Sequence, residues 1–311
     1  MVRSSVMNKE NKLNKKNRIK GCFADRVFDT MNFVIMLFIF IVVAYPLIIV
    51  ISSSFSNPSD LVAGKVWLLP VNFTLMGYKL IITNEQIGTG VMNSVFYTVV
   101  GSAINIVITV LAAYPLSRKD FRPRSFISLM FAFTMWFTGG LIPTYLLVRD
   151  LGMYNTRWAM LIPSAMSVWN MVIVRSYFQN NIPESLFESA KIDGCDDKNY
   201  LLKIAIPISK PVLSVITLYY VVANWNSFFN AYLYLQKSSL QPLQVVLRDI
   251  LLMSQMEDVM TISTEDQAIM KEMSTLLKYS LVVVASLPMA LLYVATQKYF
   301  TKGIMVGSVK G

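Results

Sequence analysis

Histidine is absent from this chain of 311 residues, and cysteine occurs only twice. Without an imidazole, a histidine metal site, a histidine proton relay and a serine-type catalytic triad are all excluded. The sequence also lacks a G-x-x-x-x-G-K-[ST] phosphate loop, so ATP must be handled elsewhere. We therefore expect no catalytic residue, no bound metal and no cofactor in this chain.

Charged residues are scarce as well. Asp, Glu, Lys and Arg supply only 15% of the chain, whereas 55% is hydrophobic, far more than in an ordinary globular domain. A bilayer core of about 30 Å takes roughly 20 apolar helical residues to cross. Six segments of about this length carry no ionisable side chain near their middle: 27–52, 92–116, 126–148, 158–178, 211–235 and 276–295. The sequence therefore predicts an all-α integral membrane protein with six transmembrane helices.

The net charge of +10 might suggest a nucleic-acid partner, but the distribution of Lys and Arg argues against one. Basic residues concentrate in four segments outside the predicted spans: 1–26, 118–124, 191–210 and 298–310. By the positive-inside rule all four segments are cytoplasmic, as an even number of spans requires for the two termini. Cys22 and Cys195 lie in these segments, where thiols stay reduced, so we expect no disulfide.

Proline and glycine occur inside several predicted spans, at Pro46, Pro115, Gly139, Gly140, Pro143, Pro163 and Pro288. Such residues are tolerated in a membrane where neighbouring helices or cavity water satisfy the released carbonyls. We therefore predict kinked helices around a cavity. The segment 236–275, between the last two spans, carries apolar residues on one helical face, which we expect to rest on the bilayer or on a partner subunit.

The loop 181–210 is longer than a simple connection between two spans requires. Pro183 fits the first position of a short helix. Gly194 supplies a C-terminal stop, because glycine adopts a left-handed conformation without the penalty of a β-carbon. A second helix, begun by Asp196, is expected to run to Pro207. The loop is therefore predicted to contain a helix, a glycine-hinged turn and another helix.

This loop reads ESAKIDG followed by IAIPISKP, and it resembles the EAA signature loop of ATP-binding-cassette (ABC) importer permeases. Ser189 and Cys195 stand where that signature usually has alanine, and both are small. Further matches follow in order along the chain: Asn93-Ser94, Ala113 to Arg118, Arg175 to Phe178, Trp225 to Phe229, and Gln297 to Phe300 with Gly303. The resemblance covers most of the chain and is similar to the carbohydrate-importer branch.

The resemblance implies a type I ABC importer permease fold over 27–311, preceded by a basic cytoplasmic tail, in a bacterial cytoplasmic membrane. Its implied partners are membrane lipid, a second homologous permease, two ATPase subunits that bind ATP and Mg, and an external solute-binding lipoprotein. The implied substrate is a carbohydrate, expected to be an oligosaccharide. The positions matching the helix that couples to the ATPase are Glu188, Ala190, Asp193, Gly194 and Pro207. A lone glutamate ordinarily solvates a surface helix, but the motif favours coupling for Glu188.

The fifth predicted span is rich in side-chain amides, which are costly in hydrocarbon and should face protein or water. Tyr219, Asn226 and Asn230 recur at steps of seven and four, which places them on one helical face. With Asn224 and Trp225 they offer the donors, acceptors and aromatic surface that a sugar path needs, although interhelical hydrogen bonding is an equal alternative. Weaker candidates, for which packing or interfacial anchoring is the preferred interpretation, are Asn93, Trp136 and Asn170.

Two other functions are compatible with a membrane protein of this length. An ion-coupled secondary transporter usually places ionisable groups within the membrane and often has two related halves. The middles of the six predicted spans contain no such groups, and no internal repeat is visible. A membrane scaffold subunit would not need the hinged loop.

Overall fold

The computed structural model describes residues 23–259 and 265–308, and this part of the chain consists of helices joined by loops and turns, without a strand. Apart from 23–26, the predicted basic tail lies outside the described residues. The first eight helices are α1 (Phe23–Ser54), α2 (Pro58–Val62), α3 (Met76–Thr83), α4 (Glu85–Ser117), α5 (Arg124–Trp136), α6 (Leu141–Asp150), α7 (Trp158–Leu161) and α8 (Val168–Asn181). The others are α9 (Glu184–Ile192), α10 (Asp197–Tyr200), α11 (Ile206–Ile208), α12 (Lys210–Trp225), α13 (Phe228–Tyr234), α14 (Leu243–Val259) and α15 (Glu265–Ser308). A π-helical turn, Leu201–Ala205, joins α10 to α11, and a 3-10 turn, Ser238–Leu240, precedes α14.

Three helices are long and apolar enough to cross a membrane: α1, α4 and the Ile269–Val294 part of α15. Two bent pairs raise the number to five if each pair counts as one span. The first pair is α5 with α6, bent by 115°, and the second is Asp197–Ile208 with α12, bent by 83°. The described chain therefore has three to five candidate spans, compared with the six that its hydropathy predicts.

The difference arises because several apolar runs are broken helices. The run 126–148 is divided between α5 and α6, where Gly140 has a φ of +88°. The run 158–178 is interrupted at 162–167, where Pro163 has no backbone N–H to continue α7. The run 211–235 breaks after Trp225. These breaks agree with the kinks predicted at Gly140 and Pro163, whereas Pro46, Pro115 and Pro288 lie inside continuous helices.

The long helix α4 is the centre of the bundle, because it packs against α8, α12 and α14. Its buried face carries small residues and hydroxyls, which let neighbouring backbones approach closely, as is typical of membrane helices. At Gly90, for example, an added β-carbon would lie 3.2 Å from the Cα atom of Leu243. By contrast, the apolar side chains of α1 are exposed along most of its length. Such a surface suits lipid as solvent.

The segment before α15 folds against its own chain, so the expectation that its apolar face rests on the bilayer or on a partner is wrong. Leu243, Val245 and Val246 are buried, and α14 packs on α4 and α15.

Polar side chains at the start of the second predicted span hold this segment in place. Asn93 Nδ2 donates to the carbonyls of Ser239 at 2.9 Å and Gln241 at 3.1 Å. Ser94 Oγ accepts from the Leu243 amide at 2.8 Å. Packing is therefore the role of Asn93.

Candidate functional site

The loop between α8 and α12 contains the predicted pair of helices. Helix α9 begins at Glu184, directly after Pro183, so the proline precedes the first helical position by one residue. The helix ends at the predicted glycine, because Gly194 has a φ of +78°. Its amide donates to Lys191 O at 3.1 Å, and the Cys195 amide donates to Ala190 O at 2.9 Å. These two bonds form a Schellman motif, which satisfies the last carbonyls of α9.

The second helix of the loop starts as predicted. Asp196 caps α10, and its Oδ1 accepts the backbone N–H of Asn199 at 3.1 Å. Hydrogen bonds from the side chain and then the backbone of Asn199 lower the pKa of Asp196. The helical path continues through the π-helical turn to Ile208, one residue beyond Pro207, and then bends by 83° into α12. The loop therefore passes directly into a candidate span.

Helix α9 is attached to the bundle through one face. Phe187 and Ala190 are buried in the same cluster as residues of α4, α8 and α12. The Phe187 ring lies edge-on to Tyr200, with 5.0 Å between centroids, and the Arg118 guanidinium lies 3.2 Å from the Phe187 centroid. Lys119 forms an exposed ion pair with Glu184 that contributes little stability. Burial and stacking of Phe187 therefore connect α9 to the end of α4.

The opposite face of α9 is exposed. Glu188 and Asp193 lie on it, and Glu188 forms no ion pair within residues 23–259 and 265–308. Ile192, at the end of the helix, is 86% exposed on this face. Sequence reasoning missed this isoleucine, although it lies off the apolar stripe of the helix. Of the residues predicted to couple, Glu188, Asp193, Gly194 and Pro207 are exposed, whereas Ala190 is buried against the bundle.

A cavity of about 650 Å³ lies between α4, α8 and the region where α12 breaks. All the residues that line it are neutral. Its hydrogen-bonding and aromatic lining comprises Asn105, Ser164, Ser167, Trp169, Asn170, Tyr219, Tyr220, Asn224, Asn226, Ser227, Phe228, Phe229 and Asn230. Amides, hydroxyls and ring faces are the groups that bind neutral polar molecules such as sugars.

Four of the five residues predicted to form a substrate path line this cavity: Tyr219, Asn224, Asn226 and Asn230. They do not share one continuous helical face, because α12 ends at Trp225 and α13 begins at Phe228. Trp225 itself lies outside the lining. It is 4% exposed, and its indole N–H donates to Ala285 O at 3.0 Å. Asn170 lines the cavity, whereas Asn93 and Trp136 do not.

The amides in this cavity have different partners. Asn224 Nδ2 donates to Ser102 Oγ at 3.1 Å and to Asn105 Oδ1 at 2.9 Å, which joins α12 to α4. Gly101 permits this approach, because a β-carbon there would lie 3.1 Å from Asn224 Nδ2. Asn226 Nδ2 donates only within its own segment, to Val222 O at 3.0 Å. Interhelical bonding therefore accounts for Asn224, while Asn226 is exposed at the cavity.

Replacing Asn224 with Leu is expected to lower the stability of the protein by roughly 1–3 kcal/mol, because Ser102 and Asn105 lose their shared partner inside the bundle. The thermal midpoint of the purified protein in detergent measures the effect. Asn226→Leu is the matched control, since Asn226 makes no interhelical hydrogen bond to the described residues and its replacement should change the midpoint much less. Equal midpoints for the two variants would contradict this interpretation of Asn224.

Residues 88–306 match the family described as "Binding-protein-dependent transport system inner membrane component". This match spans well over half of the chain, which therefore belongs to that family. The family is a membrane-embedded transport component rather than an enzyme, in agreement with the candidate spans. The protein is accordingly a permease subunit of an ABC importer.

Relatives of known name support this assignment. The polygalacturonan/rhamnogalacturonan transport system permease protein YtcP of Bacillus subtilis (strain 168) is 38% identical over 294 residues, 92% of this chain and 99% of its own. The melibiose/raffinose/stachyose import permease protein MelC of the same organism is 26% identical over 270 residues, 86% of this chain and 91% of its own. A chain in the crystal structure of a bacterial ABC transporter involved in the import of the acidic polysaccharide alginate superposes with a TM-score of 0.83. Its sequence identity is 32%, and the match covers 90% of this chain and 99% of that one.

Proposed function

We propose that this chain and a second, homologous permease form the path by which a carbohydrate, delivered by an external solute-binding protein, enters a bacterial cell. The observation that carries the proposal is the neutral cavity lined by amides, hydroxyls and aromatic rings. Such groups bind sugar hydroxyls and ring faces without requiring charge. The names of the relatives agree, since they specify oligosaccharides or polysaccharides. An oligosaccharide is accordingly the proposed substrate.

The proposed power source is a pair of separate ATPase subunits that bind ATP and Mg. The outward face of α9, with Glu188, Asp193 and Ile192, is the proposed contact surface, as in an EAA coupling helix. Its inward face is fixed to α4 through Phe187, so motion imposed on α9 is transmitted to the cavity. Six spans with cytoplasmic termini are proposed: α1, α4, α5 with α6, α7 with α8, α12 with α13, and α15.

The double replacement Asn226→Leu and Asn230→Leu is expected to reduce uptake about tenfold, because two amides lost from the sugar path each contribute about 0.5–1.5 kcal/mol. Leu is favourable in a membrane span, so the complex should still assemble and bind ATP. The measurement is ATP-dependent uptake of a labelled neutral oligosaccharide into proteoliposomes with loaded binding protein. The control pair Asn226→Gln and Asn230→Gln keeps the amides and should retain most of the activity.

Unchanged uptake in an assembled Leu variant would show that these amides are structural. Uptake by the unmodified complex that needs an ion gradient and no ATP would instead favour a secondary transporter, and the proposed function would be wrong. The two outcomes are distinguishable because the first concerns two side chains and the second concerns the energy source.

A further inference from the structure

A second cavity, of about 520 Å³, lies where α4 and α8 end beside the starts of α5 and α9, on the side of the membrane proposed to be cytoplasmic. Its charged lining consists of Arg118, Lys119, Arg124, Arg175 and Glu184. Four of these side chains are basic and one is acidic, so the lining carries an excess of positive charge. This cavity is separate from the neutral cavity assigned to the sugar.

Two of the four basic groups have partners within the protein. Lys119 pairs with Glu184, the only acidic group in the lining. Arg118 pairs with Asp120 at 3.3 Å, in addition to lying over the Phe187 ring. The positive charges of Arg118 and Lys119 are therefore largely compensated by contacts that hold the end of α4 and the start of α9 together.

The other two basic groups have no carboxylate partner among the described residues. Arg124 donates one Nη1 bond to Arg118 O at 3.1 Å, and Arg175 donates one Nε bond to Leu116 O at 3.1 Å. A guanidinium has five N–H donors, so most of the donors on each remain available. The hydroxyl of Tyr114, which also lines the cavity, is buried and has no hydrogen-bond partner in the described part of the chain. The cavity thus contains two uncompensated charges and one unsatisfied hydroxyl.

We propose that this second cavity binds a phosphate group, with an anionic phospholipid headgroup as its source. A single guanidinium can bind two phosphate oxygens through parallel N–H bonds. Basic pockets between spans on the cytoplasmic side bind anionic headgroups. The lipid is favoured over free phosphate because α5, which begins at Arg124, has an exposed apolar face. Phe126 is 67% exposed and Leu129 is 68% exposed, so acyl chains can lie along α5 while the headgroup enters the cavity.

Ser125→Asp tests the charge of this cavity without removing an existing hydrogen bond. Ser125 is exposed, lines the cavity and is the second residue of α5, where a carboxylate is favourable to the helix dipole. The added negative charge should weaken binding of phosphatidylglycerol by up to about tenfold, because one charge close to an anionic headgroup changes the binding constant by about this factor. Ser125→Asn is the matched control, because it has nearly the same shape and no charge, and it should bind as the unmodified chain does.

The experiment uses the full complex purified with its accompanying subunits, extracted from vesicles of phosphatidylglycerol and phosphatidylcholine, and counts retained lipids by native mass spectrometry. A second arm titrates inorganic phosphate into the complex in phosphatidylcholine nanodiscs by calorimetry. Retention of phosphatidylglycerol that Ser125→Asp loses and Ser125→Asn keeps supports the headgroup. Phosphate binding with the same variant dependence, but without lipid retention, supports the phosphate site and overturns the lipid source. Equal behaviour of all three proteins in both arms would overturn the proposal, whatever the complex transports.

Discussion

Replacing Gly194 with Val is expected to abolish solute-stimulated ATP hydrolysis and uptake together. Gly194 has a φ of +78° and forms the turn that ends α9, and a β-branched residue at positive φ is a severe steric misfit. The turn would have to change conformation, which would displace the exposed face of α9 relative to α4. The measurement is ATPase activity of the reconstituted complex with and without loaded binding protein, together with uptake in the same vesicles.

The control for this variant is Gly194→Asn, because asparagine tolerates the left-handed region far better than valine does. Apart from Gly194 and its two chain neighbours, no heavy atom of the described residues lies within 4 Å of the position that a β-carbon would occupy there. The expected loss of ATPase stimulation therefore results from the backbone conformation at Gly194 and not from crowding by a side chain. Asn should retain much of the stimulation. Full stimulation in the valine variant, with the turn intact, would show that this turn does not couple ATP hydrolysis to transport.

Replacing Glu188 with Lys is the second change with a large expected effect. Glu188 is exposed on α9 and has no ion pair in the described residues, so its replacement should leave the folded subunit unchanged. The family resemblance implies a basic group in the cleft of the ATPase. Like charges juxtaposed at such an interface cost several kcal/mol, which should reduce stimulated ATP hydrolysis by at least about a hundredfold.

Glu188→Gln separates attraction from repulsion, because it removes the negative charge without adding a positive one. Its activity should lie between those of the unmodified complex and the lysine variant. The thermal midpoint of the isolated permease pair should be the same for all three proteins, which would exclude misfolding. Full stimulation by loaded binding protein in Glu188→Lys would remove the exposed face of α9 from the proposed mechanism.

Gly194→Val and Glu188→Lys test two different parts of the proposed connection between the ATPase subunits and the helix bundle. An importer must convert closure of its soluble subunits into movement of membrane helices, which requires a contact whose two states differ in energy. Glu188 lies on the face of α9 proposed for the outward contact, and Gly194 forms the turn that holds this face. Phe187, packed on Tyr200 and Arg118, links the contact to the bundle. Loss of stimulated ATP hydrolysis in each variant would therefore indicate that the contact surface and the turn belong to the same transmission path.

Local features of the chain were predictable from residue types alone. The long apolar runs indicated membrane helices, and α1, α4 and α15 contain the three helical candidate spans. Gly194 and Asp196 were identified as the stop of one helix and the start of the next, because left-handed glycine and a capping carboxylate act within a few residues of themselves. The coupling role assigned to this loop stays a prediction, since it depends on a partner.

Breaks in the helices are harder to predict, because hydropathy depends on residue type alone and contains no information about the hydrogen-bond partners of the backbone. Tyr219, Asn226 and Asn230 were expected on one face of an unbroken helix. The chain instead stops α12 at Trp225, whose indole reaches Ala285 on a distant helix. The three residues nevertheless line one cavity, on both sides of the break.

By itself, the sequence determined that this is a helical membrane protein with a hinged loop, because hydropathy, glycine conformation and helix capping are local properties. The tertiary contacts, by contrast, distinguish an amide that joins two helices from one that only faces the cavity. Asn224 and Asn226 are two residues apart and chemically identical, yet only Asn224 meets Ser102 and Asn105 of α4. That distinction depends on partners more than a hundred residues away, and no local pattern contains them.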